Sequence, residues 1–427
     1  MTTVFIILAI FLALAGAPLF AVLGSIALAA FFGAGIEPVA VIVELYRMTS
    51  QPTLIAIPLF TFSGYLLAES GAPSRLVRVS HALFGWMPGG LAIVALLTCS
   101  FFTAFTGASG VTIVALGGLL LPVLLKDHYP QRFSLGLLTS SGSLGLLFPP
   151  SLPIILYAMI ASVSVDQLFA AGILPGLLLI LLLSLYSTRI AVKNDVPTFK
   201  FQFKEAVAAV RQAAWELPLP ILIIVGIYGG LFTVTEAAAI TAVYLLIVEV
   251  LIHRDIHPFK KLPGILRDST VLVGGILLIL GSALGLTNYL IDAETPNAIF
   301  NAIRGMISSK WAFLIALNLF LLIVGALMDI FSAIIVVVPL ILPIASEFGV
   351  NPLHLGIVFL TNLEIGYSTP PVGLNLFISS FRFRKPMLQL YRSTLPFIGI
   401  MLLALLIITY WEDLTLVLAR LIYGTVG

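Results

Sequence analysis

The chain has 427 residues, of which 60% are hydrophobic and only 9% charged, and its net charge is +2. Soluble domains carry about 25% charged residues, so this composition excludes an ordinary soluble fold and indicates an all-α polytopic membrane protein. The lone cysteine, Cys99, excludes an intrachain disulfide and a thiolate metal site, and so small a net charge excludes nucleic acid as a partner.

Uncharged runs, taken in chain order, place the crossings. The first, 4–33, lacks a basic flank and outruns the apolar core of about 7–15 residues of a secretory signal, so it reads as a span. Others fall near 52–70, 133–165, 169–188, 218–232, 234–252, 269–290, 353–380 and 388–410. Basic residues cluster at Arg75/Arg78, at Lys126/Arg132, and within 189–211, 254–267 and 382–392. All five clusters are cytoplasmic only if the runs 87–125 and 311–346 each begin and end on one side, as helical hairpins. The first hairpin then enters from the cytoplasm and the second from outside; the amino terminus lies inside and the carboxyl terminus outside. On this path 52–70 opposes 269–290, and 133–165 opposes 353–380, which makes the two halves an inverted repeat. Between them, 191–217 is a basic linker whose segment 203–215 has the pattern of an amphipathic surface helix; a solvated connector is the alternative.

The repeat is visible in the residues themselves. Gly145 through Pro150 (GLLFPP) recurs 221 residues later as Gly366 through Pro371 (GYSTPP). The same offset carries Gly64 onto Gly285, Pro122 onto Pro343, and Leu174-Pro175 onto Leu395-Pro396. Run 133–165 holds 33 uncharged residues, which as a straight helix would be about 50 Å long against a hydrocarbon core of about 30 Å. Proline removes an amide donor and disfavours helix in the residue before it, so Pro149-Pro150 and Pro370-Pro371 mark interrupted helices. The carbonyls freed there must face protein, water or a cation. A proline kink satisfied by nearby hydroxyls is the competing reading; duplication of the break favours a built site.

The tips of the two hairpins, 103–110 and 325–332, are the natural partners of these breaks. If each hairpin crosses fully, its tip is a surface turn; if it is re-entrant, the tip meets the break at mid-membrane. Glycine and hydroxyl residues clustered at the first tip favour re-entry. Helix starts at Ser109 and Ser151, with mates near Ser332 and Val372, would present positive dipole ends to an anion. Polar residues inside apolar spans are functional candidates because their burial is costly, which selects Asp329, Asn362, Glu364 and Asn375 beside Ser109 as substrate-binding candidates. Glu364 either balances cation charge, takes up a proton, or accepts from loop amides. Glu236 reads as a helix cap. His-Glu-x-x-His, Gly-x-Ser-x-Gly and P-loop signatures are absent, so no enzymatic reaction is expected.

These residues resemble the large membrane subunit of tripartite ATP-independent periplasmic (TRAP) transporters, the DctM-like family. The resemblance covers essentially the whole chain. It rests on Pro58 through Gly64, Thr106 through Gly110, Gly142 through Gly145 with Pro149-Pro150-Ser151, Gly172 through Gly176, Thr235 through Ala238, and Asn362 through Pro371. It implies an elevator-type carrier, in which a transport domain holding both hairpins moves against a scaffold domain. It also implies import of a small carboxylate with two Na+ ions across the bacterial inner membrane. A periplasmic binding protein delivers the substrate, and a small four-helix (DctQ-like) subunit, expected as a separate chain, braces the scaffold. Carried over residue by residue, one Na+ site takes Thr103, Thr106, Gly145, Phe148 and Pro150; the other takes Gly325, Gly366, Thr369 and Val372.

This plan divides the chain into an N-terminal scaffold segment (1–51) and a first repeat (52–190, with hairpin 87–125 and broken helix 133–165). The linker and scaffold helices (191–268) follow, then a second repeat (269–411, with hairpin 311–346 and broken helix 353–380) and a C-terminal segment (412–427). Two departures matter: Thr103 and Thr106 stand where many relatives have serine, and Ala108 replaces another serine. Gly110-Val111-Thr112 is uncharged where some relatives carry aspartate, which leaves the substrate open. A self-sufficient anion/Na+ symporter of the same plan and, further off, an ion channel are the competing readings.

Overall fold

The structure, a computed structural model, describes the chain except residues 1–10, 12–16, 38, 40, 44, 45, 47–49, 199, 295–306, 308 and 425–427. Every regular element among the described residues is helical, as lipid requires of a chain whose amides can be satisfied only internally. Eight of these helices are long and apolar enough to cross a membrane, and the pair bent by 45° counts as a ninth where it is read as one span.

Helix α1 (Leu19–Gly33) is the described part of the first expected crossing, whose beginning lies outside the described residues. A 3-10 turn at Pro52–Ile55 leads into α2 (Ala56–Glu69), followed by the short amphipathic α3 (Ala72–Phe84). The first hairpin is α4 (Gly90–Thr106) and α5 (Ser109–Lys126), turned at Gly107, whose φ of +62° favours glycine. Helix α6 (Gln131–Ser141), a 3-10 turn (Leu144–Leu147) and α7 (Leu152–Ala161) form the bent pair, and the long α8 (Val165–Lys193) closes the repeat. The linker holds α9 (Phe203–Gln212), then come α10 (Pro218–Tyr228) and α11 (Val234–Leu246), the latter extended by a π turn, Ile247–Ile252.

The second repeat runs α12 (Leu262–Asp292), α13 (Lys310–Leu327), α14 (Ile330–Glu347), α15 (Pro352–Gly366), α16 (Leu374–Phe383) and α17 (Met387–Tyr410). Helix α18 (Glu412–Tyr423) ends the described chain. Helices α4 to α8 and α13 to α17 begin within one residue of the 221-residue offset. The halves meet at a self-equivalent point: Ser143 Oγ donates to the Glu364 carbonyl (3.4 Å), and these residues are 221 apart. A residue meets its own mate only where a two-fold axis passes between the halves.

Some expected boundaries shift for local reasons. Helix α12 starts at Leu262, before the expected 269, because charged side chains such as Arg267 can reach the membrane surface from a helix end. Helix α10 stops at Tyr228 instead of 232, where Gly229 and Gly230 follow, the latter at φ +67°. Helix α8 runs well past both ends of 169–188. The amphipathic helices α3 and α18 were outside the apolar-run criterion altogether.

Helix α3 and linker helix α9 pack together through Val79, Ala209 and Ala213, while Phe203, Val207 and Trp215 remain exposed. Below that contact Arg75 is nearly buried among three carboxylates. Its Nε donates to Glu216 (2.5 Å), Nη1 to Asp255 (2.6 Å) and Nη2 to Glu249 (3.0 Å). Burial opposes the charge of Arg75, but Asp255 and the two glutamates more than offset it and hold the guanidinium above its usual range. Burial alone would likewise raise the Asp255 carboxyl; Arg75 and the Gly71 amide hold it below the carboxylate range. The cluster ties the connector α3 to the end of the linker and to the end of α11.

Candidate functional site

Each hairpin tip lies against the break of its own half. In the first half the contact is backbone to backbone: a Cβ on Gly145 would come 2.1 Å from the Ser100 carbonyl and 2.5 Å from the Ala104 amide. Only glycine lets the 3-10 turn approach α4 so closely. Thr103 and Thr106 are both fully buried. The Thr103 hydroxyl donates to the Gly142 carbonyl (2.8 Å) and lies 2.7 Å from the Thr112 hydroxyl, which therefore donates to it. The Thr106 hydroxyl has only long contacts, 3.4 and 3.5 Å, to the Ala108 backbone. Helix α2 covers this tip from the other side, since a Cβ on Gly64 would lie 2.5 Å from the Phe105 carbonyl. Pro149 and Pro150 are buried and joined by a cis peptide, and the half-buried Phe148 stacks its ring on Gly176.

In the second half a Cβ on Gly366 would lie 2.6 Å from Gly325 C and Cα. The Gly373 amide donates to the Ala326 carbonyl (3.0 Å), and the Ile330 amide donates to the Tyr367 hydroxyl. The Thr369 hydroxyl donates back to Ile365 O (2.8 Å). This break is irregular over 367–373 and opens outward: Pro370 and Pro371 are exposed, as is Val372 (42%), and Pro370-Pro371 is again cis.

The polar candidates fall into four situations. Asn375 joins the two breaks: its Nδ2 donates to Thr139 O (3.3 Å) and Ser143 Oγ (3.4 Å), and its amide to Tyr367 O (3.0 Å). Glu364, fully buried, has neither side-chain oxygen in a hydrogen bond, and Asn362 and Asn375 each leave Oδ1 unpartnered. Asp329 is exposed and caps α14, with Oδ1 accepting from the amides of Phe331 (3.0 Å) and Ser332 (3.1 Å). Ser109 is buried in the first turn of α5, a helix start with no side-chain cap. Glu236 forms a capping box with Thr233, as its position implied.

Buried hydroxyls of Ser140, Ser151 and Ser368 are also without partners. Nearly all buried polar groups in proteins are paired, so a concentration of unpaired oxygens around two helix breaks is a donor set for cations or polar ligands. These oxygens belong to hydroxyl, side-chain amide and carboxyl groups, hard donors of the kind that suit an alkali cation. Apolar-run reasoning passed over Asn318, Thr139 and Ser379, although the rule that flags polar residues in spans would have selected Asn318.

A separate cleft of about 1270 Å3 lies between the start of α2, the end of α7, the α10–α11 turn and α12. Its polar lining includes Gln51, Ser164, Asp166, Thr233, Glu236 and Asn288, and it touches none of the candidate cation ligands.

The family model described as "Tripartite ATP-independent periplasmic transporter, DctM component" matches residues 3–414. The chain is 37% identical to a C4-dicarboxylate TRAP transporter large permease protein, DctM, of Pseudomonas aeruginosa, over 88% of each chain. It is 34% identical to an ectoine/5-hydroxyectoine large permease, UehC, of Ruegeria pomeroyi, over 87% of each. It is 35% identical to an isethionate permease, DctMQ, of Oleidesulfovibrio alaskensis, over 92% of this chain and 62% of that one. Among solved structures, the YdaH transporter of Alcanivorax borkumensis shares the fold with a TM-score of 0.61 at 14% identity, over 87% of each chain.

Proposed function

The chain belongs to the DctM family, the large permease components of tripartite ATP-independent periplasmic transporters, and from that premise we propose that it imports a small organic anion together with Na+. The observation that carries this reading is the meeting of each tip with its break, amid buried oxygens that lack partners. One Na+ is held by Thr103, Thr106, Gly145, Phe148 and Pro150; the other by Gly325, Gly366, Thr369 and Val372. Among the hydroxyls assigned to the two sites, that of Thr106 is the least engaged by the protein and so the readiest to turn to a cation.

The substrate carboxylate binds near the uncapped start of α5 at Ser109, where amide dipoles favour negative charge. Asn375, Glu364, Asn362 and Asp329 surround the two breaks and complete the polar environment. The relatives are named for a C4-dicarboxylate, an ectoine and isethionate, which share an anionic head group. Hairpins, breaks, α8 and α17 move together as the transport domain, while α1, α2, α11 and α12 form the scaffold. The 1270 Å3 cleft between them receives substrate from a periplasmic binding protein. A small membrane subunit packs on the scaffold in the inner membrane, with the amino terminus of the permease cytoplasmic and its carboxyl terminus periplasmic.

Uptake into proteoliposomes holding the permease, small subunit and binding protein tests this. Saturable uptake should vanish when choline replaces Na+, and Thr106→Val should lower it by about tenfold, the effect of losing one charge-assisted contact. Conductance without Na+ coupling would instead make this a channel. Undiminished uptake without the binding protein would make it a self-sufficient symporter.

A further inference from the structure

The second tip has no hydroxyl where the first has two: Val324 and Leu327 replace Thr103 and Thr106 at the 221-residue offset. At those two positions the second tip offers the break only backbone carbonyls, and their placement depends on how α13 registers against α15. The contact between Gly325 and Gly366 lets the backbones touch but does not fix that register, because apolar contact has no preferred direction.

Beside the tip bonds to Tyr367 and Gly373, a directional contact joins the two helices themselves. Asn318 lies seven residues before Gly325 on α13, and Asn362 lies four before Gly366 on α15, spacings that return each amide to the glycine face of its helix. Asn362 Nδ2 donates to Asn318 Oδ1 at 2.8 Å and also to its own Val358 carbonyl at 2.8 Å. Asn318 Nδ2 donates to Thr409 Oγ1 of α17 at 3.1 Å. Asn362 and Thr409 are essentially inaccessible, and Asn318 is 6% exposed. The chain continues outward: the Thr409 carbonyl accepts from His354 Nε2 (3.2 Å), and His354 Nδ1 lies 2.9 Å from the Thr415 hydroxyl of α18. Three helices, α13, α15 and α17, are thus joined through the Asn318 amide, and His354 extends the chain to α18. The first half has no such clamp, since the corresponding positions are Leu97 and Ser141. There Thr103 makes the equivalent bond at the tip itself, to Gly142 O.

We propose that Asn318 is the positioning residue of the second break, holding α13 and Asn362 in the register at which the Gly325–Gly366 contact presents its carbonyls to Na+. It also leaves Asn362 Oδ1 as the unpartnered oxygen of the pair. This rests on the Na+-coupled reading above.

The test uses the full complex in proteoliposomes and compares wild type with Asn318→Leu, Asn318→Gln and Thr409→Val. Asn318→Leu should raise the Na+ concentration for half-maximal uptake by about fivefold, the size of one interhelical hydrogen bond in a membrane. The maximal rate at saturating Na+ should stay near wild type even though the loss of two buried hydrogen bonds lowers the melting temperature; a purely structural residue would lower the rate at saturating Na+ as well. Asn318→Gln, keeping both amide groups, should recover most of the Na+ affinity, and Thr409→Val should shift it by about twofold. Should Asn318→Leu fail to fold, Thr409→Val together with the Na+-induced rise in melting temperature of Asn318→Gln carries the test. Unchanged Na+ dependence in the folded variants overturns the proposal. Wild-type uptake that ignores Na+ would sink the preceding reading instead, and the two failures are told apart by the wild-type control.

Discussion

The two halves trace one backbone plan with different chemistry. In the first, the break is sealed inside the protein: Pro149 and Pro150 are buried, and threonine hydroxyls face it from the tip. In the second, Pro370 and Pro371 are exposed, Leu327 at the tip is 55% exposed, and Asp329 caps the returning helix in the open. A sealed site can be built from side chains because packing fixes their rotamers. A site with one open edge gains more from backbone oxygens, whose positions follow from helix register. Duplication conserved the geometry of tip against break and left the donor type free to differ.

The largest expected effect separates a pair of repeat mates. Gly64→Ala would drive a Cβ into the Phe105 carbonyl and Thr106 Cα, both backbone, at 2.5 Å, whereas Gly285→Ala meets only the Val41 side chain at 2.9 Å. Overpacking of this kind costs about 3 kcal/mol where nothing can yield, so Gly64→Ala should lower the melting temperature and abolish uptake. Gly285→Ala should stay within about 0.5 kcal/mol of wild type, and equal losses would erase the distinction between the halves.

A smaller effect tests the sealed donors. Thr103→Val removes the partner of Gly142 O and strands the Thr112 hydroxyl, a cost of about 2 kcal/mol readable by thermal unfolding. At the mate position, Val324→Thr should be close to neutral, because a threonine hydroxyl in a helix can bond to the carbonyl four residues back.

The smallest effect concerns the open edge. Asp329→Ala should cost about 1 kcal/mol by uncapping α14, while Asp329→Asn keeps the acceptor for Phe331 and Ser332 and should be nearly silent in unfolding. Comparing uptake by these two variants separates the carboxylate charge from its cap. If Asp329→Asn loses uptake while remaining stable, the open half contributes a charged group after all.

Much of the fold could be read from local chemistry. GLLFPP and GYSTPP place both interruptions, and glycine at Gly107 turns the first hairpin where small residues cluster. Thr233 and Glu236 announce their capping box three residues apart. Helices α3 and α18 escaped because Arg75, Arg78, Glu412 and Asp413 break the apolar run, although the apolar face of each packs on its neighbours. Arg75 could be read as a topology marker, but not as the hub of three carboxylates drawn from 216, 249 and 255. Asn318 escapes apolar-run reasoning, and its bonds to Asn362 and Thr409 on other helices exist only in the packed fold.

The sequence by itself determined that this chain lives in a membrane, that it is two related halves, and where each broken helix breaks. Those properties follow from runs of apolar residues and from proline and glycine, whose effects act within a few residues. Only the tertiary structure decided that each tip seats on its own break, that Ser143 meets Glu364 across the axis, and that one break is sealed while the other opens. Such contacts join residues far apart in the chain, and their energy comes from complementary surfaces that exist only once the helices are packed.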